Sequence, residues 1–160
     1  MATGLYTQTK DTIQARVHIS RMTTADLPRV IELATQLGYP QDGDGLSRRF
    51  QSIVNQADYA LFVAKVHDDV AGWVQINIEP LTLLVEPRAE VAALIVDEKY
   101  RSQKIGHALL VEAEAWAKDR GVTLLRLRSG VQRQEAHRFY QREGYTLAKT
   151  SCVFTKTVEL

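Results

Sequence analysis

Apolar residues follow two periods along this chain, and the switches between them mark out its elements. From Ile105 onward, Ile105, Ala108, Leu109, Val111, Ala113, Ala115 and Trp116 keep near-helical spacing. Glu112, Glu114, Lys118 and Asp119 take the other side, which predicts an amphipathic helix. Just before it, 91–96 is a continuous apolar run, bounded by charge and too short for a helix. It predicts a strand buried on both faces. A polar turn joins the two.

Upstream, 17–21 alternates apolar and polar residues and predicts a first strand. Thr23 or Thr24 can cap the next helix, which has Asp26 in its first turn and Pro28 early enough to be tolerated. Its apolar positions, Leu27, Val30, Ile31, Ala34 and Leu37, recur at three and four, and Gly38 ends it. The turn-rich stretch 38–45 leads into a second helix over 46–55, with Leu46, Phe50, Ile53 and Val54 as its apolar face. Segments 59–67 and 70–78 read as strands in a hairpin through Asp68 and Asp69, and 79–88, with Pro80 and Pro87, as a loop.

Beyond the long helix, Gly121 is its expected terminator and 122–128 a further strand, with Arg126 and Arg128 alternating outward. A helix over 134–142 ends before Gly144, and 146–150 with 151–157 reads as a closing antiparallel pair. Residues 1–16 are polar and irregular, a loose extension ahead of one domain over 17–160.

Length and composition narrow the class. A chain of 160 residues that is 45% hydrophobic and 24% charged is a globular protein of one domain. Nothing in it approaches a membrane span or a signal-peptide core, so the expectation is a cytoplasmic protein with no membrane partner. The single cysteine, Cys152, excludes an intrachain disulfide and supplies no metal cluster; it reads as a small packed residue in a strand.

A net charge of +1 argues against a dedicated nucleic-acid binder, although the charge is unevenly spread. Residues 99–149 hold eleven Lys and Arg against five acids, while 79–98 hold five acids and Arg88 alone on the basic side. That asymmetry suits a protein joining an anionic ligand to a cationic one. A nucleic-acid module using Arg120, Arg126, Arg128, Arg133 and Arg138 would lack interleaved stacking aromatics and any docking motif.

The candidate chemistry lies in the turn before the long helix. A helix starting near Ser102 or Gln103 presents unpaired N–H groups and the positive end of its dipole, which makes an anion site. Gly106 lets backbone approach a ligand, and Arg101, Lys104 and His107 surround the turn with donors suited to a pyrophosphate.

The run Arg101-Ser-Gln-Lys104-Ile-Gly106-His-Ala-Leu-Leu resembles the acetyl-CoA-binding motif of the GCN5-related N-acetyltransferase (GNAT) superfamily. A second block, Glu135-Ala136-His-Arg-Phe139-Tyr140-Gln-Arg-Glu-Gly144-Tyr145, is similar to that family's C-terminal signature, and the resemblance covers 17–158. It implies a single-domain α/β fold, with a mixed, mostly antiparallel twisted sheet of about seven strands flanked by about four helices. Two parallel strands would splay apart to admit acyl-CoA. Two positions depart from the family pattern: Lys104 stands at its first glycine, and Arg133 where many members carry Asn.

The implied activity is acetyl transfer from acetyl-CoA, as cosubstrate and without a metal, to a primary amine of a small molecule or peptide. The resemblance assigns the pantetheine arm and thioester to the backbone of Leu94, Ile95 and Val96. It gives the phosphates to Arg101, Ser102, Gln103, Lys104, Ile105, Gly106 and His107, with Arg133 in reach of a phosphate. Tyr140 is the implied general acid. Glu90 is the first choice for the base and Glu79 the second. Tyr39, Asp42 and Asp44 are candidate acceptor contacts, and the C-terminal strands can pair across a homodimer. The alternative is an acyl-CoA-binding regulatory domain without turnover.

Overall fold

A computed structural model describes residues 17–40, 42–79 and 86–159. The N-terminal extension and most of the 79–88 loop therefore lie outside the described residues. Five strands form one sheet in the order β1(Val17–Arg21), β2(Tyr59–Val66), β3(Asp69–Ile78), β4(Arg88–Val96) and β5(Leu124–Leu127). The first three pairings are antiparallel, and β4 with β5 is parallel. The β2–β3 hairpin turns through His67 and Asp68, one residue earlier than expected, both at positive φ as a two-residue turn of matching twist requires.

Each sheet face buries its own apolar cluster. On one face, α3(Ile105–Lys118) packs Ile105, Leu109, Leu110, Ala113 and Trp116 against Phe62, Val74, Ile76 and Val91. On the other, α1(Leu27–Gln36) and α2(Gly43–Ile53) bury Leu27, Val30, Leu33 and Phe50 against Leu61, Val63, Trp73 and Ile95. Successive side chains along β3 point to opposite faces, so Trp73 and Val74 fall in different clusters. Helix α2 begins three residues earlier than its apolar face suggests, because the Asp42 carboxylate caps it through the Gly45 N–H.

Helix α4(Gln134–Arg142) completes the α3 side, laying Phe139 and Tyr140 on that cluster. Two expectations fail. Residues 146–159 hold no regular secondary structure, so the closing pair is not formed and the described strands number five rather than about seven. Cys152 is accordingly exposed rather than packed.

Candidate active site

The site begins where β4 loses its neighbour. Pairing of β4 with β5 runs from Arg88 with Leu124 to Val91 with Leu127 and stops, while β3 follows β4 on to Val96. The β3 register also shifts between Gln75 and Ile76, which gives β4 an extra residue at Ala92. Residues 92–96 therefore present one open edge, and Ala92 is exposed within a strand expected to be buried on both faces. Leu94, Ile95 and Val96, the backbone positions expected to hold a pantetheine arm, lie along this edge.

Beyond Val96 the chain is tightly anchored. Asp97, 3% exposed, accepts from the Lys99 N–H and pairs with Arg29 of α1. Asp69 accepts from Lys99 Nζ at 2.8 Å and from the Tyr100 hydroxyl at 3.0 Å. The buried carboxylate, met by a guanidinium and a backbone N–H, fixes the direction in which the next turn leaves the sheet. Sequence periodicity gives no sign of Arg29 or Asp97 in this role, because the pair is 68 residues apart.

The turn itself places both Ser102 and Lys104 in left-handed backbone, with φ of 64° and 61°. The Ala108 N–H is the first to reach back into the turn, donating to Lys104 O at 3.0 Å, so the N–H groups of Ile105, Gly106 and His107 precede the helical ladder. That leaves a concentrated donor set at the positive end of a 14-residue helix. Lys104 has no carboxylate partner among the described residues, and Arg101 meets only Glu98 at 3.7 Å.

Gly106 has a packing duty that sequence reading does not show. A Cβ there would stand 2.9 Å from Cζ of Phe139, so the absence of a side chain seats α4 against the first turn of α3. The His107 ring is likewise committed: its Nδ1 lies 2.6 Å from Glu143 Oε2, tying the same two elements together. The Tyr145 hydroxyl adds a third tie, donating to Glu114 at 3.1 Å. Burial, and then Glu114, hold the Tyr145 phenol well above its ordinary range.

These ties place Tyr140 in the cluster that also holds Leu94 and Val96. Its ring packs on Phe139 and Tyr145, with centroids at 5.3 Å and 6.1 Å. Its hydroxyl makes no hydrogen bond to any described residue. Burial raises its pKa above 10.0, against the partly offsetting pull of Arg133, the residue preceding α4. Arg133 itself carries no ion pair among the described residues.

Where the strands are still paired, charges alternate. Glu90 accepts from Arg128 Nε at 2.7 Å and Nη2 at 2.9 Å, and from Arg126 at 3.1 Å. Glu79 bonds Arg126 and Arg88. Burial alone would raise the Glu90 pKa, but hydrogen bonds from Arg128 and Arg126 outweigh it and lower the value below 4.5. The acidic stretch 79–98 is thus largely neutralised by arginines, contrary to the open cation-attracting face its composition suggests. The sequence places Arg126 and Arg128 on an outward face, and the parallel register sets Glu90 opposite Arg126.

On the α1–α2 side, a cavity of about 270 Å³ is lined by Leu27, Val30, Phe50, Ile53, Trp73 and Gln75, among others. Of the three candidate acceptor contacts, Asp42 is occupied as a helix cap and Tyr39 is 61% exposed. No cluster of His, Cys, Asp or Glu among the described residues could hold a metal, and no described helix is long and apolar enough to cross a membrane.

The acetyltransferase (GNAT) family model matches residues 27–145, and the chain belongs to that family. A segment of 56 residues is 46% identical to an aminoalkylphosphonate N-acetyltransferase of Salmonella typhimurium, spanning 35% of this chain and 36% of that protein. An uncharacterised N-acetyltransferase of Bacillus subtilis is 28% identical over 89% of this chain and 99% of its own. Among solved structures, a transcriptional regulator from Bacillus halodurans superposes with a TM-score of 0.79 at 26% identity, over 88% of this chain and all of that one. Aminoglycoside acetyltransferases share the fold at 15–21% identity with TM-scores of 0.73–0.79. By family the protein is an N-acetyltransferase.

Proposed function

We propose that this protein transfers an acetyl group from acetyl-CoA to a primary amine on a small molecule, with Tyr140 as general acid. The observation that carries the reading is the open edge of β4 at 92–96, running directly into the donor-rich turn before α3. In this reading the β4 backbone of Leu94, Ile95 and Val96 holds the pantetheine arm. The turn from Arg101 to His107 receives the pyrophosphate, through backbone N–H groups and the Arg101 and Lys104 side chains, with Arg133 adding a cation from α4.

The amine nitrogen attacks the thioester carbonyl carbon, and β4 N–H groups stabilise the developing oxyanion. As the carbon–sulfur bond breaks, Tyr140 donates its phenolic proton to the leaving thiolate. A phenol kept protonated by burial, with no competing hydrogen bond among the described residues, suits that task.

Glu90 is the proposed base, relaying the proton lost by the ammonium through water to bulk solvent. Its lowered pKa makes it a weak base that stays ionised, so the pH dependence of turnover follows the acceptor amine rather than Glu90. Arg128, whose side chain is 66% exposed next to the last paired residue of β5, offers a contact for an anionic group on the acceptor. An amine that also carries a phosphonate, like that named for the Salmonella relative, fits this row. The test is thiol release from acetyl-CoA with a panel of aminoalkylphosphonates, sugar amines and polyamines. Release with at least one amine class supports the reading; no release above hydrolysis with any of them contradicts it.

A further inference from the structure

We infer that a cavity at the β1 edge of the sheet is a second anion site, apart from the turn before α3, which takes a small organic phosphate or carboxylate with an apolar body. The cavity measures about 270 Å³. Arg21, the last residue of β1, and Arg120, just past α3, line it together with Met22, Val54, Asn55 and Leu61, among others. Met22 and Leu61 are buried, whereas both arginines are exposed. An apolar base under a cationic rim suits a ligand with a charged head and an apolar body.

Both guanidinium groups are held in place without a counter-charge. Arg21 lies over the Phe62 ring at 4.7 Å and Arg120 over the Trp116 ring at 4.1 Å. Stacking fixes the plane of each fork and leaves its edge N–H groups for a ligand. Arg120 donates from Nε to Ala57 O and from Nη1 to Trp116 O, each at 3.3 Å, which leaves Nη2 without a partner among the described residues. Arg21 donates to none of them, and neither arginine forms an ion pair among them. Burial, and then the charge of Arg120, lower the Arg21 pKa, and Glu112 opposes this only in part. Two like charges on one cavity repel. An oxyanion between them removes that repulsion and accepts from both forks.

This site is remote from the proposed acetyl-CoA turn. Arg120 follows the C-terminal end of α3, whereas the turn from Arg101 to His107 leads into its N-terminal end, so a 14-residue helix, roughly 21 Å long, separates them. Three strand spacings, roughly 14 Å, also separate β1 from β4.

The test titrates the whole chain with phenyl phosphate and with benzoate, following backbone amide resonances by NMR, with benzyl alcohol as the neutral control. At least one anion should shift the amides of Met22, Asn55 and Arg120 saturably, and the tighter of the two identifies the head group. Arg21→Gln and Arg120→Gln should each weaken that binding by about tenfold. No saturable shift at these amides with either anion up to about 10 mM would overturn the inference. So would equal binding of benzyl alcohol, or an affinity unmoved by either substitution. A response confined to 101–107 would also overturn it while leaving the acetyl-CoA turn supported, so the two readings fail separately. If a variant fails to fold, the wild-type comparison of charged and neutral probes still decides.

Discussion

The position of a β-carbon at Gly106 would fall 2.9 Å from Cζ of Phe139, a separation that packed side chains do not tolerate. This contact seats α4 on the first turn of α3, and so sets Tyr140 against the cluster on which Leu94 and Val96 of β4 also pack. A glycine that would ordinarily be credited to ligand approach is here required by the placement of the proposed acid. Gly106→Ala should cost about 1–3 kcal/mol through overpacking. Adding Phe139→Leu should restore most of it, since a smaller side chain vacates the Cζ position. Urea denaturation of the two single variants and the double variant measures the coupling.

Lys104 sits at φ 61°, where L-residues are disfavoured by about 1–2 kcal/mol, and the extra freedom of glycine in the unfolded chain takes back about 0.5–1. Lys104→Gly should therefore raise stability by about 0.5–1 kcal/mol. Lys104→Ala keeps the strained backbone and should not. Chemical denaturation midpoints separate strain from charge, because both variants remove the same ammonium.

Tyr140→Phe should leave folding stability within about 1 kcal/mol, because the hydroxyl has no partner to lose among the described residues. Turnover with acetyl-CoA and a competent amine should fall by about 10²-fold, with the KM for acetyl-CoA little changed. With burial raising the phenol above 10.0, the wild-type rate should show no alkaline loss from Tyr140 below that pH. A pH–rate profile of both proteins checks this.

Glu90 ties β4 to β5 through two arginines. Its folded pKa lies below the ordinary 4.5, so its contribution to stability is present above about that pH and is lost as pH falls through the lower folded value. Glu90→Gln should destabilise the protein by about 1–3 kcal/mol at neutral pH. The deficit should shrink on acidification, as the wild type loses the same ion pairs. Thermal melts of both proteins between neutral and strongly acid pH measure that convergence.

Much of the architecture was legible because periodicity is local. The spacing of Leu27, Val30 and Ala34 forecast α1, the run from Ile105 to Trp116 forecast α3, and 134–142 matched α4 residue for residue. The strand read over 70–78 lies within β3. What was missed depends on partners distant in sequence. The β-rich composition over 146–157 suggests a closing pair of strands, and those residues form none. Arg29 with Asp97, and Arg126 and Arg128 with Glu90, meet only through the fold. The left-handed backbone at Lys104 could be suspected only because relatives place glycine there, and the packing duty of Gly106 needed the position of Phe139.

The most direct test of the central claim, that the β4 edge and the following turn form an acetyl-CoA site, is a calorimetric titration with acetyl-CoA, repeated with acetyl-pantetheine, which lacks the pyrophosphate. The account predicts micromolar binding of acetyl-CoA and a large loss of affinity for the truncated compound. Absence of binding by acetyl-CoA, or equal binding of both compounds, would contradict it.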